Sequence, residues 1–96
     1  MRKGYWIANV TVLDAKRYAE YQALAPAALA QYGANFLARG SERVTLEGNT
    51  SHTRSVIMEF PSYEQALACY HSEGYQRAKA AREGAADVNI DIIEGL

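Results

Sequence analysis

The chain has 96 residues, 49% of them hydrophobic and 22% charged, with a formal net charge of -1 at pH 7. That length holds one core, so residues 1–96 are expected to form a single domain, and its near-neutral balance excludes nucleic-acid affinity driven by phosphate neutralisation. No apolar run approaches the roughly 20 residues that span a bilayer, which excludes a membrane span, and the lone Cys69 excludes an intrachain disulfide.

Residues 5–13 read as a strand rich in Tyr, Trp, Ile, Val and Thr, and period-two alternation puts Trp6, Ala8, Val10 and Val12 on one wholly apolar face. Asp14 is an N-cap for a long Ala-rich helix reaching about Tyr32, with a kink or break expected near Leu24 because Pro26 removes a backbone donor and clashes with the preceding turn. Gly33 suits a helix-ending left-handed residue. Residues 35–39 form a short strand, Gly40 and Ser41 a turn or bulge, and residues 44–47 continue or return as extended chain before the loop at 48–51.

The strongest strand signal is Arg54–Phe60, which stops at Pro61. Ser62 and Gln65 then stand in the capping-box relation that opens a second helix, to about His71. Residues 72–74 break it, a third helix is expected over 75–83, and residues 87–93 alternate as a last strand. The order is β-α-β-β-α-β with an extra short helix, an α+β ferredoxin-like sandwich with helices on one face of an antiparallel sheet. The other face, with Ile7, Ile57 and Ile93 beside Asn9, Glu59 and Asp91, is too apolar to be comfortable in water. A second copy of the chain is its simplest cover, and the expected partner is therefore the protein itself.

Lys3-Gly4-Tyr5-Trp6-Ile7-Ala8, Phe36-Leu37-Ala38-Arg39-Gly40, Glu59-Phe60-Pro61-Ser62, Tyr70-His71-Ser72-Glu73-Gly74-Tyr75-Gln76 and Ile93-Glu94-Gly95 form a recognisable set. Together they resemble the small bacterial family known as domain of unknown function 1330. Cys69 and Ala34 depart from it, since the family often has Trp and Gly there. The resemblance implies the dimeric α/β-barrel superfamily, in which two ferredoxin-like subunits pack sheet to sheet, and whose members include cofactor-independent monooxygenases, lactone isomerases and haem enzymes.

No motif of high catalytic specificity occurs, so candidate chemistry rests on residue types. Glu59, a carboxylate in an apolar strand, is a candidate general base or a dimer-interface residue, and His52, after the 48–51 loop, a second proton carrier. Arg39 and Arg82 are candidate anion binders, against structural roles as an ion-pair partner and a helix cap. Tyr18, Tyr21, Tyr70 and Tyr75 fall on helix faces expected to meet the sheet, where they are either core or the lining of a site for a small aromatic or oxygenated molecule. His52 and His71 share no metal-binding spacing, and no cofactor is expected; Cys69 reads as a packed residue rather than a nucleophile. Two functions remain open: a cofactor-independent enzyme, monooxygenase- or isomerase-like, and a non-catalytic small-molecule-binding homodimer or purely structural dimer. A reducing cytoplasm is the expected compartment, since the N-terminus lacks the pattern of a signal peptide.

Overall fold

Alternation along the first strand sets the architecture. The computed structural model describes residues 2–40, 42–49 and 52–96; in it β1 runs Gly4–Val12, burying Trp6, Ala8 and Val10 and leaving Tyr5, Ile7 and Asn9 half-buried. The other elements follow in the expected order: α1 (Ala15–Gln31), β2 (Asn35–Gly40), β3 (Arg54–Phe60), α2 (Tyr63–His71), α3 (Glu73–Ala81) and β4 (Ala86–Glu94). The strands make one antiparallel sheet in the order β2-β3-β1-β4, which is the ferredoxin-like arrangement. Among the described residues no helix is long and apolar enough to cross a membrane.

Trp6 anchors the layer between sheet and helices. It is fully buried, its ring meets Phe60 at 5.3 Å and the edge of Tyr75 at 5.0 Å, and its indole N–H donates to the Ala66 carbonyl of α2 at 2.9 Å. That bond lets a polar aromatic sit in the core without an orphaned donor.

Two expectations about the helices change. α1 is unbroken across Pro26, because Tyr18, Ala25, Ala28 and Leu29 are buried on both sides of it while Pro26 itself is exposed. Burial of that stripe outweighs the lost hydrogen bond. α3 begins at Glu73 instead of Tyr75, since Ser72 caps it: the Ser72 hydroxyl accepts from the Tyr75 amide at 3.2 Å and donates to the Cys69 carbonyl at 2.6 Å. One side chain thus closes α2 and opens α3. Ser72→Ala is expected to cost about 1–2 kcal/mol in chemical denaturation, the upper range for a lost cap; a change below a few tenths would show that the junction is held by packing alone.

Residues 42–47 add no strand to the sheet. Arg43 ties this segment to the open sheet face instead, donating to Asn9 Oδ1 at 3.3 Å, to Ser55 Oγ at 2.5 Å and to the His52 carbonyl. Ser41 of the expected turn, and Thr50 and Ser51 of the expected loop, lie outside the described residues.

The edge strand β2 carries an irregularity that matters for the site. Phe36 pairs with Met58 and Ala38 with Ile57, so Leu37 is an extra residue between consecutive rungs. A bulge of this kind resets the alternation. Phe36 and Arg39, three apart, therefore share the helix-facing side, and the Arg39 guanidinium lies 4.4 Å over the Phe36 ring.

Candidate functional site: a cavity lined by hydrogen-bond donors

The helix-facing side of the sheet is apolar except at one corner. β3 places Val56, Met58 and Phe60 on that side, and the same period of two carries Arg54 there as well. In the register Arg54 is opposite Val10, which is opposite Val88 on β4, so a cation heads an otherwise aliphatic row. α1, packed chiefly on α3, leaves a cavity of about 150 Å³ between itself and the sheet. Ala8, Val10, Val56 and Ile90 form its floor, Tyr18, Tyr21, Ala25 and Leu29 come from α1, and Tyr75 and Arg82 come from α3 and its end. Phe36 and Arg39 border it at the exposed strand β2.

Its polar side chains are the guanidiniums of Arg39, Arg54 and Arg82, the phenols of Tyr18, Tyr21 and Tyr75, and the Gln22 amide. Arg82 is 8% exposed, donates Nη2–H to the Tyr75 hydroxyl at 3.4 Å, and lies 5.1 Å over the Tyr21 ring. Among the described residues the Nε–H groups of Arg54 and Arg82 are buried with no hydrogen-bond partner, and no carboxylate lines the cavity. Three guanidinium groups thus border one small space without a carboxylate from the described residues.

The hydroxyls of Tyr21 and Tyr75 are 2.8 Å apart. Tyr75 is fully buried and its oxygen accepts from Arg82, so the Arg82 guanidinium and the two phenols form one hydrogen-bonded group.

Burial, reinforced by the hydrogen bond with Tyr75, pushes the Tyr21 phenol far above its ordinary value, so it stays neutral. Tyr18 is also raised by burial, against the pull of the nearby charges of Arg54 and Arg82. For Arg82, burial alone would favour the neutral form, but its bond to Tyr75 and the proximity of Tyr21 outweigh that and raise its pKa.

Of the residues singled out from sequence, Tyr18, Tyr21, Tyr75, Arg39 and Arg82 meet at this cavity. Tyr70 does not; it packs its ring on Tyr75 at 5.5 Å and borders a shallower hollow beyond Arg82. Nor does the structure bring Glu59 or His52 here. Glu59 is on the opposite parity of β3, where it accepts from the Tyr5 hydroxyl at 3.2 Å and pairs with Lys3 at 3.7 Å. His52 lies beside Thr11, Nδ1 to Oγ1 3.4 Å. An arrangement with Glu59 or His52 serving a ligand held by these tyrosines within one subunit is therefore not what the fold builds, because the sheet separates them. Arg54 was not among the expected site residues, although its parity with Val56, Met58 and Phe60 was a readable signal. Among the described residues, no group of three or more His, Cys, Asp or Glu side chains is placed to hold a metal ion.

The family model described as a domain of unknown function, DUF1330, matches residues 3–96. The chain belongs to this family. Among curated proteins, none matches it. Solved structures similar to this DUF1330 chain include a protein of unknown function from Rhodopseudomonas palustris, with a TM-score of 0.78, 18% identity, and coverage of 99% of this chain and 83% of that one. A dimeric ferredoxin-like protein of unknown function from Jannaschia sp. CCS1 has a TM-score of 0.72 at 13% identity, covering 96% and 98%. SnoaB, a cofactor-independent oxygenase from Streptomyces nogalater, has a TM-score of 0.67 at 12% identity, covering 97% and 92%. At such identities the likeness is one of fold.

The buried acids make a pH prediction for this DUF1330 protein. Burial raises Cys69 from 9.0 to about 11 and raises Tyr21 from 10.0 to well beyond it. Each is neutral in the fold at a pH where it would ionise in the unfolded chain, so the unfolded state binds fewer protons and stability falls as pH rises. Both contributions are intact below pH 9; the Cys69 contribution is lost between 9.0 and about 11, and the Tyr21 contribution begins to go above 10.0. The melting temperature is expected to decline from about pH 9, and Cys69→Ala to delay that onset; an unchanged onset in the variant would remove Cys69 from the account.

Proposed function

We propose that this DUF1330 protein binds a small organic anion in the cavity between α1 and the sheet. The observation that carries this reading is that Arg39, Arg54 and Arg82 all line a cavity to which no described residue brings a carboxylate, while Arg54 and Arg82 each keep a buried Nε–H without a partner among the described residues. A buried N–H without a partner costs about 1–3 kcal/mol, and an anion arriving from solution supplies acceptors that the cavity lacks. The apolar floor then holds the carbon skeleton.

Binding is better supported than protein-driven proton transfer. Among the cavity-lining residues there is no carboxylate or imidazole, and the raised pKa of Tyr21 keeps it from acting as a base near neutrality. The alternative is a cofactor-independent enzyme of the monooxygenase or isomerase kind, favoured by the same donors. They would stabilise a phenolate or enolate that reaches the cavity already ionised. The fold is shared with SnoaB, whose description is that of a cofactor-independent oxygenase.

The working form is a homodimer joined through the open sheet faces, as the half-buried Ile7 and Ile57 and the exposed Ile93 favour. In that form Glu59 and His52, with Tyr5 and Asn9, belong to the neighbourhood of the interface. Sedimentation as a monomer at micromolar concentration would defeat it.

Trp6 is the single tryptophan and borders the cavity, so its fluorescence reports occupancy. Titration with small organic anions is expected to change that emission saturably, and neutral isosteres to leave it unchanged. Equal responses to anion and isostere would sink the binding reading. Oxygen uptake on adding an ionised phenol would move the balance to the enzyme.

A further inference from the structure

Resting on the anion-binding reading above, we propose that the ligand is a single-ring aromatic carboxylate, its carboxylate between Arg54 and Arg82 and its ring over Val10 and Val56. Size comes first. A cavity of about 150 Å³ is the volume that accepts one benzene ring in a protein interior, so a single ring fills it. The walls are suited to a flat ring: Tyr18 and Tyr21 stack at 5.2 Å with planes 30° apart, and Tyr75 and Trp6 complete an aromatic corner at 5.0 Å. Aromatic faces and edges favour a planar π-system over a puckered aliphatic one of equal volume.

The polar end selects the anionic group. Guanidinium N–H groups match the spacing of the two oxygens of a planar carboxylate, and here two guanidiniums flank the phenol of Tyr18. Arg82 already gives an Nη2–H to Tyr75, and the other N–H groups with which Arg54 and Arg82 line the cavity are the donors the ligand would take. Tyr75 borders the ring site and, through the 2.8 Å contact between its hydroxyl and that of Tyr21, positions the Tyr21 phenol beside it.

The test measures Trp6 emission, checked by calorimetry, during titration of the full chain with benzoate, benzamide, hexanoate, cyclohexanecarboxylate and 1-naphthoate. Benzoate is expected to saturate the signal, with the other four at least about tenfold weaker, the loss that follows removal of a charged hydrogen bond or a misfit of shape. Arg54→Met is expected to weaken benzoate by a similar factor, and Tyr75→Phe to weaken it less while bringing the Tyr21 phenol down in a spectroscopic pH titration. Arg54→Met carries the test if variants of the more buried Arg82 fail to fold. Hexanoate or cyclohexanecarboxylate binding as tightly as benzoate overturns the aromatic class and leaves the organic-anion reading standing; 1-naphthoate doing so overturns the single-ring limit. Benzamide equal to benzoate, or no binding of any of the five at millimolar concentration, overturns both readings.

Discussion

Arg54→Met is expected to make the protein more stable while weakening anion binding ten- to a hundredfold. The two effects have one cause. In the free protein Arg54 buries an Nε–H with no partner, and it shares the cavity with Arg82 and no carboxylate. Methionine fills similar volume, adds apolar surface to the row of Val10 and Val88, and removes the orphaned donor. The gain is expected to be about 1 kcal/mol, which for a chain of this size is roughly 4–8 °C in melting temperature. The same change removes a charge-assisted hydrogen bond worth about 1.5–3 kcal/mol to an anion, the origin of the binding loss. Thermal melts with and without benzoate read both. A variant that melts lower than the parent would mean that Arg54 is structural, and the proposed site would lose its strongest support.

Gly4→Ala is expected to be the most damaging small substitution. A methyl group at position 4 would stand 2.6 Å from the Ser62 carbonyl oxygen and 2.7 Å from the Tyr63 Cα. Both are backbone atoms, and both sit at the N-terminus of α2, where the Ser62 hydroxyl accepts from the Gln65 amide at 3.0 Å. A side chain can rotate away from such a clash, but the start of a capped helix can only move as a whole. Separating α2 from β1 would also strain the bond from Trp6 to Ala66. A cost of about 3 kcal/mol or more is expected, at the upper end for overpacking. Gly74→Ala is the control: its added methyl meets only the Ala28 Cβ at 3.4 Å, so it should be neutral or stabilising by up to about 0.5 kcal/mol through helix propensity. Equal losses in the two variants, by urea denaturation, would show that glycine is needed at neither place for close approach.

Much of the scaffold was legible because it follows from local rules. Alternation in β1 announced Trp6, Ala8 and Val10 as the core face, and all three are buried. Asp14 and Ser62 cap the helices their residue types mark, accepting from the Arg17 and Gln65 amides. Pro26 misled for the opposite reason: its local penalty is real, but the buried stripe around it is a tertiary quantity invisible in a window of a few residues. The tyrosines and Arg82 were readable as a set, whereas the link from Arg82 through Tyr75 to Tyr21 joins residues 54 apart in the chain.

The amino-acid order by itself determined the strand faces, the helix starts, and hence the antiparallel sheet with helices on one side, since periodicity and capping act over a few residues. It also determined that Glu59 faces away from Met58 and Phe60, by parity alone. Only the tertiary structure decided where the cations go. The extra residue at Leu37 turns Arg39 onto the side of Phe36, which strict alternation would forbid. Strand register sets Arg54 opposite Val10, and helix packing brings Arg82 over Tyr21. A site made of charges from β2, β3 and the end of α3 exists only where three elements meet, and that meeting is governed by long-range burial rather than by the spacing of residues along the chain.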